Sequence, residues 1–108
     1  MSGITVDYIR GFFDGEGCVP YSGNLKRIIL VNTNLQILQN IKTILLGLGI
    51  QCHLNARKLL PKHKQAYNLS IYGFYNIRKF FLVVGTNDDD KRERLKKILL
   101  NYKQIHSK

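Results

Sequence analysis

The chain has 108 residues, with 17 Lys and Arg against 7 Asp and Glu, which gives a net charge of +10. This length favours a single domain over residues 1–108 and leaves no room for a deep small-molecule pocket with a lid. The charge favours a polyanionic partner, nucleic acid before an anionic membrane surface. No apolar run approaches the roughly 18 residues of a membrane helix, and no secretory signal is visible. We therefore expect an intracellular protein of the cytoplasm, nucleoid or an organelle, neither secreted nor membrane-bound.

The acidic residues are confined to the two ends of the chain. None lies between Gly17 and Asn87, a stretch that holds nine Lys and Arg. A surface that faces phosphates needs such a composition, because each carboxylate on it would repel the nucleic acid backbone. Asp14 and Glu16 are then the acids available to a site on that surface. Cys18 and Cys52 have no zinc-type spacing, and we expect both to be reduced and buried.

The first predicted helix runs from about Val6 to Gly15, with Thr5 as its N-cap. It is apolar on two sides, one carrying Val6, Ile9 and Phe13 and the other Tyr8 and Phe12. Gly11 and Gly15 form a stripe without side chains. Because glycine inside a helix costs about 1 kcal/mol relative to alanine, the stripe indicates a close approach by another backbone.

Two strands and a helix follow. Cys18–Ser22 is predicted as a short strand, placed at an edge or bulged because Pro20 lacks an N–H. Lys26–Thr33 is predicted as the second strand. The next helix has caps among residues 32–34, a leucine and isoleucine stripe over residues 35–48, and an end at Gly47 and Gly49.

Two further strands and two helices complete the predicted order. Ile50–Arg57 and Tyr67–Tyr72 alternate apolar and polar residues, as strands with one buried face do, and residues 58–65 form a basic hairpin loop. Residues 74–84 are predicted as a third helix. Asp88–Asp90 suit the first turn of a last helix, where negative charge favours the helix dipole.

The fold class is therefore α+β, with four mostly antiparallel strands in a curved sheet and helices on one face. The other face is predicted to be polar, and such a sheet can lie in the DNA major groove, where amide and basic side chains pair with base edges. The predicted face consists of Lys26, Asn32, Gln51, His53, Asn55, Arg57, Asn68, Ser70 and Tyr72.

Residues 9–17 read Ile-Arg-Gly-Phe-Phe-Asp-Gly-Glu-Gly, which resembles the signature of the LAGLIDADG homing endonucleases. The match holds at Gly11, Asp14, the acidic position Glu16 and Gly17, with apolar residues where the family is apolar. The αββαββα order and the segments around residues 32–49 and 72–92 are similar to the family as well. The resemblance thus covers most of the chain.

The resemblance implies a homodimeric DNA endonuclease, since one motif per chain needs a second copy. The motif helices would pack together through Ile9, Gly11, Phe12 and Gly15. Mg²⁺ or Mn²⁺ would bind between the two Glu16 carboxylates, with the Gly15 carbonyl as a further ligand, and Asn32 and Thr33 would be catalytic. Asp14 is expected to be structural. Hard oxygen ligands suit such metals independently of the resemblance.

The target would be double-stranded DNA with a long, nearly palindromic site, cut on both strands. The residues expected to contact it are Ser22, Asn24, Lys26, Asn32, Gln51, His53, Asn55, Arg57, Lys58, Lys62, Lys64, Asn68, Ser70 and Tyr72.

Two features depart from the family pattern. Arg10 stands where a small residue is usual, and no lysine directly precedes the last helix, Lys91 being the first basic residue there. An alternative therefore stays open, a DNA-binding or intron-RNA-binding protein, such as a maturase or a regulator, that keeps the fold without cutting. A ribosomal-type RNA binder explains neither the acidic motif nor the two-sided helix.

Overall fold

The structure, a computed structural model, describes residues 5–20, 27–57 and 64–106, with side chains described only up to residue 100. The predicted order of helices and strands is confirmed. The elements are α1 Val6–Glu16, β1 Gly17–Cys18, β2 Arg27–Asn32, α2 Leu35–Gly47, β3 His53–Ala56, β4 Tyr67–Tyr72, α3 Phe74–Val83 and α4 Asp89–His106. Within these residues, no helix is long and apolar enough to cross a membrane.

The four strands form one open sheet in the order β1-β2-β4-β3, and every neighbouring pair is antiparallel. β2 and β4 are the central strands and pair along their whole length, from Arg27 opposite Tyr72 to Asn32 opposite Tyr67. β3 is shorter than predicted. It starts at His53 because the backbone N–H of Gln51 donates to the Asn76 side chain at 2.9 Å instead of to a strand.

The core lies between one face of the sheet and the helices. Phe13 of α1 meets Phe80 of α3 edge to face, with ring centroids 5.1 Å apart, a favoured aromatic geometry. The helices and the two central strands supply most of the fully buried side chains. These are Ile9, Phe13, Ile28, Leu30, Leu38, Ile41, Leu45, Leu69, Ile71, Ile77 and Phe80.

The strand register and the burial of side chains correct three sequence predictions. Side chains alternate along a strand, so Asn32 has the same phase as the buried Leu30, and the prediction that it lies on the polar face is wrong. Ser70 does lie on that face, but it is only 4% exposed because it sits on a central strand between Ile29 and His53. Cys18, predicted to be buried, is exposed on the edge strand, whereas Cys52 is buried.

Both ends of α1 are defined by specific hydrogen bonds. The Thr5 hydroxyl accepts from the backbone N–H of Tyr8 at 3.2 Å, which confirms the predicted N-cap. At the other end, the N–H of Gly17 donates to the Phe13 carbonyl. A Cβ at Gly17 would lie 2.6 Å from that carbonyl oxygen and would also overlap the Phe13 ring. The turn from α1 into β1 therefore requires glycine.

Asp14 fastens α1 to the connection between α3 and α4. One carboxylate oxygen accepts from the Thr86 hydroxyl, and the other accepts from the backbone N–H of Asn87 at 3.0 Å. The Thr86 hydroxyl in turn accepts from the N–H of Asp88 at 3.0 Å. Thr86 is buried, so this hydroxyl serves a donor and an acceptor that would otherwise lack a partner. Asp14 is structural, as expected from the sequence.

Replacing Gly17 with alanine is expected to destabilise the protein, because the new methyl group collides with backbone. We expect a loss of about 1–3 kcal/mol in the free energy of unfolding, the usual cost of overpacking. Urea denaturation measures this loss. Gly47→Ala is the matched control. A Cβ there meets nothing within 4 Å, so equal losses in the two variants would contradict the account of Gly17.

Thr86→Val keeps the shape of the side chain and removes the hydroxyl shared by Asp14 and Asp88. Since the half-buried Asp14 carboxylate and Asp88 N–H each lose a hydrogen bond, we expect a loss of about 1–3 kcal/mol in unfolding free energy. Thr43→Val is the control, because the Thr43 hydroxyl donates to a carbonyl on the exposed side of α2 and its removal should change stability by less than about 0.5 kcal/mol. Equal effects in denaturant titrations would show that the link is unimportant.

Candidate functional site

Glu16 lies at the C-terminal end of α1, and its side chain is exposed. Asn32, at the end of β2, donates from Nδ2 to Glu16 Oε2 at 2.6 Å. The other end of the same amide, Oδ1, accepts from the backbone N–H of Asn34 at 2.7 Å, at the start of α2. Because both ends of the amide are engaged, Asn32 holds the Glu16 carboxylate in a defined direction. Thr33 is exposed immediately beside this pair.

Lys91 is a feature of this region that sequence analysis did not place. Its Nζ donates to the Asp14 carbonyl at 2.7 Å and lies 5.7 Å from the centroid of the Phe13 ring. The last turn of α1 has no basic residue, and a cation is stabilising at the negative end of a helix dipole. Lys91 thus supplies from α4 the charge that α1 lacks, with its side chain only 15% exposed.

Asp88 orients the start of α4 and so helps to place Lys91. Its carboxylate accepts from the backbone N–H of Lys91 at 3.0 Å and lies 3.6 Å from Lys91 Nζ. The hydrogen bond from the backbone N–H of Lys91 is the largest cause that holds the pKa of Asp88 below its ordinary value; desolvation opposes it, and the Lys91 charge adds to the lowering. The group is therefore ionised and acts as a helix cap, in agreement with the prediction that residues 88–90 start a helix.

The side chains of one chain do not by themselves assemble a metal site among the described residues. Among the residues that the structure describes, no three His, Cys, Asp or Glu side chains come close enough to share a metal ion. The last carbonyls of a helix lack intrahelical partners; in α1 the Phe13 and Asp14 carbonyls are bound by Gly17 and Lys91. The carbonyls of Gly15 and Glu16 follow directly, beside the Glu16 carboxylate. Carbonyl and carboxylate oxygens are suitable ligands for a hard divalent cation. With a single carboxylate in one chain, further ligands would have to come from another molecule.

The outer face of α1 is formed by Tyr8, Gly11, Phe12 and Gly15. Tyr8 is 41% exposed, Phe12 is half-buried, and a Cβ added at either glycine would meet nothing within 4 Å. Ile9 is fully buried within its own protomer, so the structure removes it from the predicted contact face. At 100° per residue, Ile9 and Phe13 turn towards the sheet while the glycines turn away.

Arg10, which departs from the family pattern, does not lie on this outer face. Its Nε donates to the Val84 carbonyl at 2.6 Å, near the end of α3, and it forms an ion pair with Asp7 at 2.8 Å. Arg10 therefore attaches the flank of α1 to α3. A long side chain is accommodated at position 10 because its guanidinium binds the Val84 carbonyl and Asp7 within the same domain.

The polar face of the sheet brings together only part of the predicted DNA-contact set. His53, Asn55 and Tyr72 are exposed on it, Asn68 is half-buried and Ser70 is buried. Exposed residues next to the strands are Gln51, Arg57 and Lys64. Ser22, Asn24, Lys26, Lys58 and Lys62 lie outside the described residues.

Arg27 was missed on this face. Ile28 and Leu30 are buried, so alternation along β2 turns Arg27 outwards. Its guanidinium carbon lies 5.9 Å from the centroid of the Tyr72 ring, on the neighbouring strand. The signal was present in the sequence. If the inward-facing apolar residues of β2 are taken as the reference for alternation, Arg27 is assigned to the outer face.

Comparisons with known proteins agree with this geometry. The sequence model of the LAGLIDADG-like domain matches residues 4–85. An uncharacterised protein of Methanocaldococcus jannaschii is 33% identical over 104 residues, and the match covers 86% of this chain but only 37% of that protein.

Among solved structures, the homing endonuclease I-CvuI, crystallised in complex with the I-CreI target DNA in the presence of Mg and with the DNA not cleaved, has a similar fold. The TM-score is 0.64 at 17% identity, over 93% of this chain and 66% of that one. The chain thus spans about a third of its curated relative and about two thirds of the solved enzyme. The domain match covers most of the sequence, including the motif helix, both central strands and α3, and it establishes that the chain belongs to the LAGLIDADG family.

Proposed function

We propose that the protein is a site-specific DNA endonuclease that acts as a homodimer and makes a metal-dependent double-strand break at a long, pseudo-palindromic target. One observation carries the proposal. The Glu16 carboxylate, oriented by Asn32, ends a helix whose outer face is open at Gly11 and Gly15. Two copies packed along that face bring two such carboxylates together, which completes a site that one chain has only in part.

The residues around Glu16 would have different roles in such a site. A divalent cation, Mg²⁺ or Mn²⁺, would polarise the scissile phosphate and lower the pKa of a bound water. The Glu16 carboxylate and the Gly15 carbonyl would hold this cation. Asn32 keeps the carboxylate in place, as groups behind a metal ligand commonly do. Thr33, exposed next to Asn32, would hydrogen-bond a water molecule or a phosphate oxygen.

The sheet supports the DNA-binding half of the proposal. Its outer face carries His53, Asn55, Tyr72 and Arg27, residue types that contact base edges and phosphates. The net charge of +10 favours association with a polyanion. A two-fold dimer presents two identical sheets, so the preferred target has two related half-sites. The DNA complex of I-CvuI is a precedent in a protein of the same fold.

Glu16→Gln is expected to abolish cutting while DNA binding persists. The amide keeps the size of the side chain and loses the charge that holds a cation, so we expect cleavage to fall more than about 100-fold, beyond the cost of losing an outer-shell partner. Linearisation of a plasmid that carries the selected site, with Mg²⁺, measures cleavage, and a gel shift without metal measures binding.

Glu93→Gln is the matched control, because Glu93 is an exposed acid on α4 that is 3.8 Å from Lys96. Unchanged cleavage in Glu16→Gln would refute the assignment of the site. Binding without cutting by the natural protein would favour the non-cleaving alternative, a DNA-binding or RNA-binding protein with the same fold.

Gly11→Leu is expected to yield a folded monomer. The new side chain enters open space in one protomer but obstructs a second helix, and overpacking a close contact by about 1–3 kcal/mol weakens dimerisation by about 5-fold to 150-fold. Sedimentation equilibrium measures the dissociation constant. Gly47→Leu, at an equally open site on α2, should remain dimeric. If Gly11→Leu dimerises as strongly as the natural protein, the two copies do not meet along α1.

A further inference from the structure

Three side chains form a row across three strands on the outer face of the sheet. Arg27 of β2 is directly opposite Tyr72 of β4 in the register, with its guanidinium carbon 5.9 Å from the centroid of the Tyr72 ring. On the other side, the His53 ring of β3 lies 5.4 Å from the Tyr72 ring at an angle of 48°. Tyr72 is therefore held between a cation and a second ring, and it is still 39% exposed.

This row restrains an arginine that would otherwise be mobile. Arg27 is half-buried, and its guanidinium lies over an aromatic face, an arrangement that favours a cation. A stacked guanidinium has lost much of its rotamer freedom before any ligand arrives. It therefore loses less entropy when its donors bind.

The donors of Arg27 are incompletely used within the chain. Its Nε is buried and has no hydrogen-bond partner among the residues that the structure describes. Because the buried Nε is out of reach of a ligand, the donors that a ligand can meet are the two terminal nitrogens of this half-buried side chain. These two terminal nitrogens are donors in one plane, so they match a pair of neighbouring acceptors.

Guanine presents such a pair in the major groove, through O6 and N7. Adenine presents only N7 beside an amino donor, which would face the donors of arginine. A phosphate group also offers paired oxygens, but it carries no sequence information. The chemistry shared by both ligands is a pair of acceptors, and the position on the sheet face, next to Tyr72 and His53, favours the base.

We propose that Arg27, positioned by Tyr72, selects a guanine in each half-site of the DNA target. The inference rests on the proposed DNA-binding function and identifies one base position within it. Tyr72 is a positioning residue here, since it acts by holding the guanidinium. In a two-fold dimer the two guanines lie at equal distances from the centre of the site.

The test is selection of bound sites from a randomised DNA duplex library without divalent metal, followed by affinity measurements on the selected site and on versions substituted at each position. The natural protein should require guanine at one position in each half-site. Arg27→Lys keeps the charge but loses the planar donor pair. Discrimination at that position should fall about tenfold or more, in line with the usual worth of a bidentate contact, while affinity for the substituted site stays the same.

Two further variants separate positioning from folding. Tyr72→Leu should relax the same base position, whereas Tyr72→Phe, which keeps the ring, should preserve it. Arg78→Lys, on the exposed side of α3, should leave all base preferences intact. Thermal melting of each variant shows that it is folded.

Each of the following four results would overturn the inference. Unchanged guanine preference in Arg27→Lys would show that another residue reads this position. A uniform loss of affinity over all sequences, with a smaller salt dependence, would assign Arg27 to a phosphate. If the natural protein binds no DNA at all, both the proposed function and this inference are wrong. If the natural protein selects and cuts a site that Arg27→Lys selects equally well, the guanine assignment alone fails.

Discussion

The candidate site depends on how the C-terminal end of α1 is fixed. Three parts of the chain meet there. The turn into β1 approaches so closely that only glycine fits at position 17, the α3–α4 connection binds Asp14, and Lys91 binds the Asp14 carbonyl. Each contact joins α1 to a different neighbour, so the end of the helix cannot tilt without breaking one of them. Glu16 is the last residue of α1, so the same contacts fix its position.

The two carboxylates of the motif show how helix geometry separates roles. Asp14 and Glu16 are two residues apart, which is about 200° around the helix axis. Asp14 consequently faces the buried Thr86 and is fully used by the fold. Glu16 faces the end of β2, where Asn32 binds one oxygen and solvent reaches the side chain. One acid stabilises the scaffold and the other is left for a ligand, although the two are nearly identical chemically.

Most of the fold could be predicted because hydrophobic periodicity and caps are local properties, as with Thr5 before α1 and Asn34 before α2. The errors had two sources, a wrong strand phase and contacts between residues far apart in the chain. A shift of one residue in strand phase reverses the faces, which placed Asn32 on the wrong side and concealed Arg27. Arg10 and Lys91 find their partners 74 and 77 residues away along the chain. No nearby residue indicates these two contacts, so Arg10 appeared only as a departure from the family pattern and Lys91 only as the first basic residue of the last helix.

The charge of the chain and the shape of α1 together constrain the proposed dimer. Two copies at +10 each repel one another, and the outer face of α1, built from Tyr8, Gly11, Phe12 and Gly15, has no charge with which to offset that repulsion. DNA lying across both sheets neutralises the excess charge and holds the two helices together. Dimerisation and DNA binding are then thermodynamically coupled. Salt acts on them in opposite directions, since screening favours the free dimer and weakens the phosphate contacts. In the proposed dimer, DNA binding would therefore also favour the assembly of the proposed metal site between the two chains.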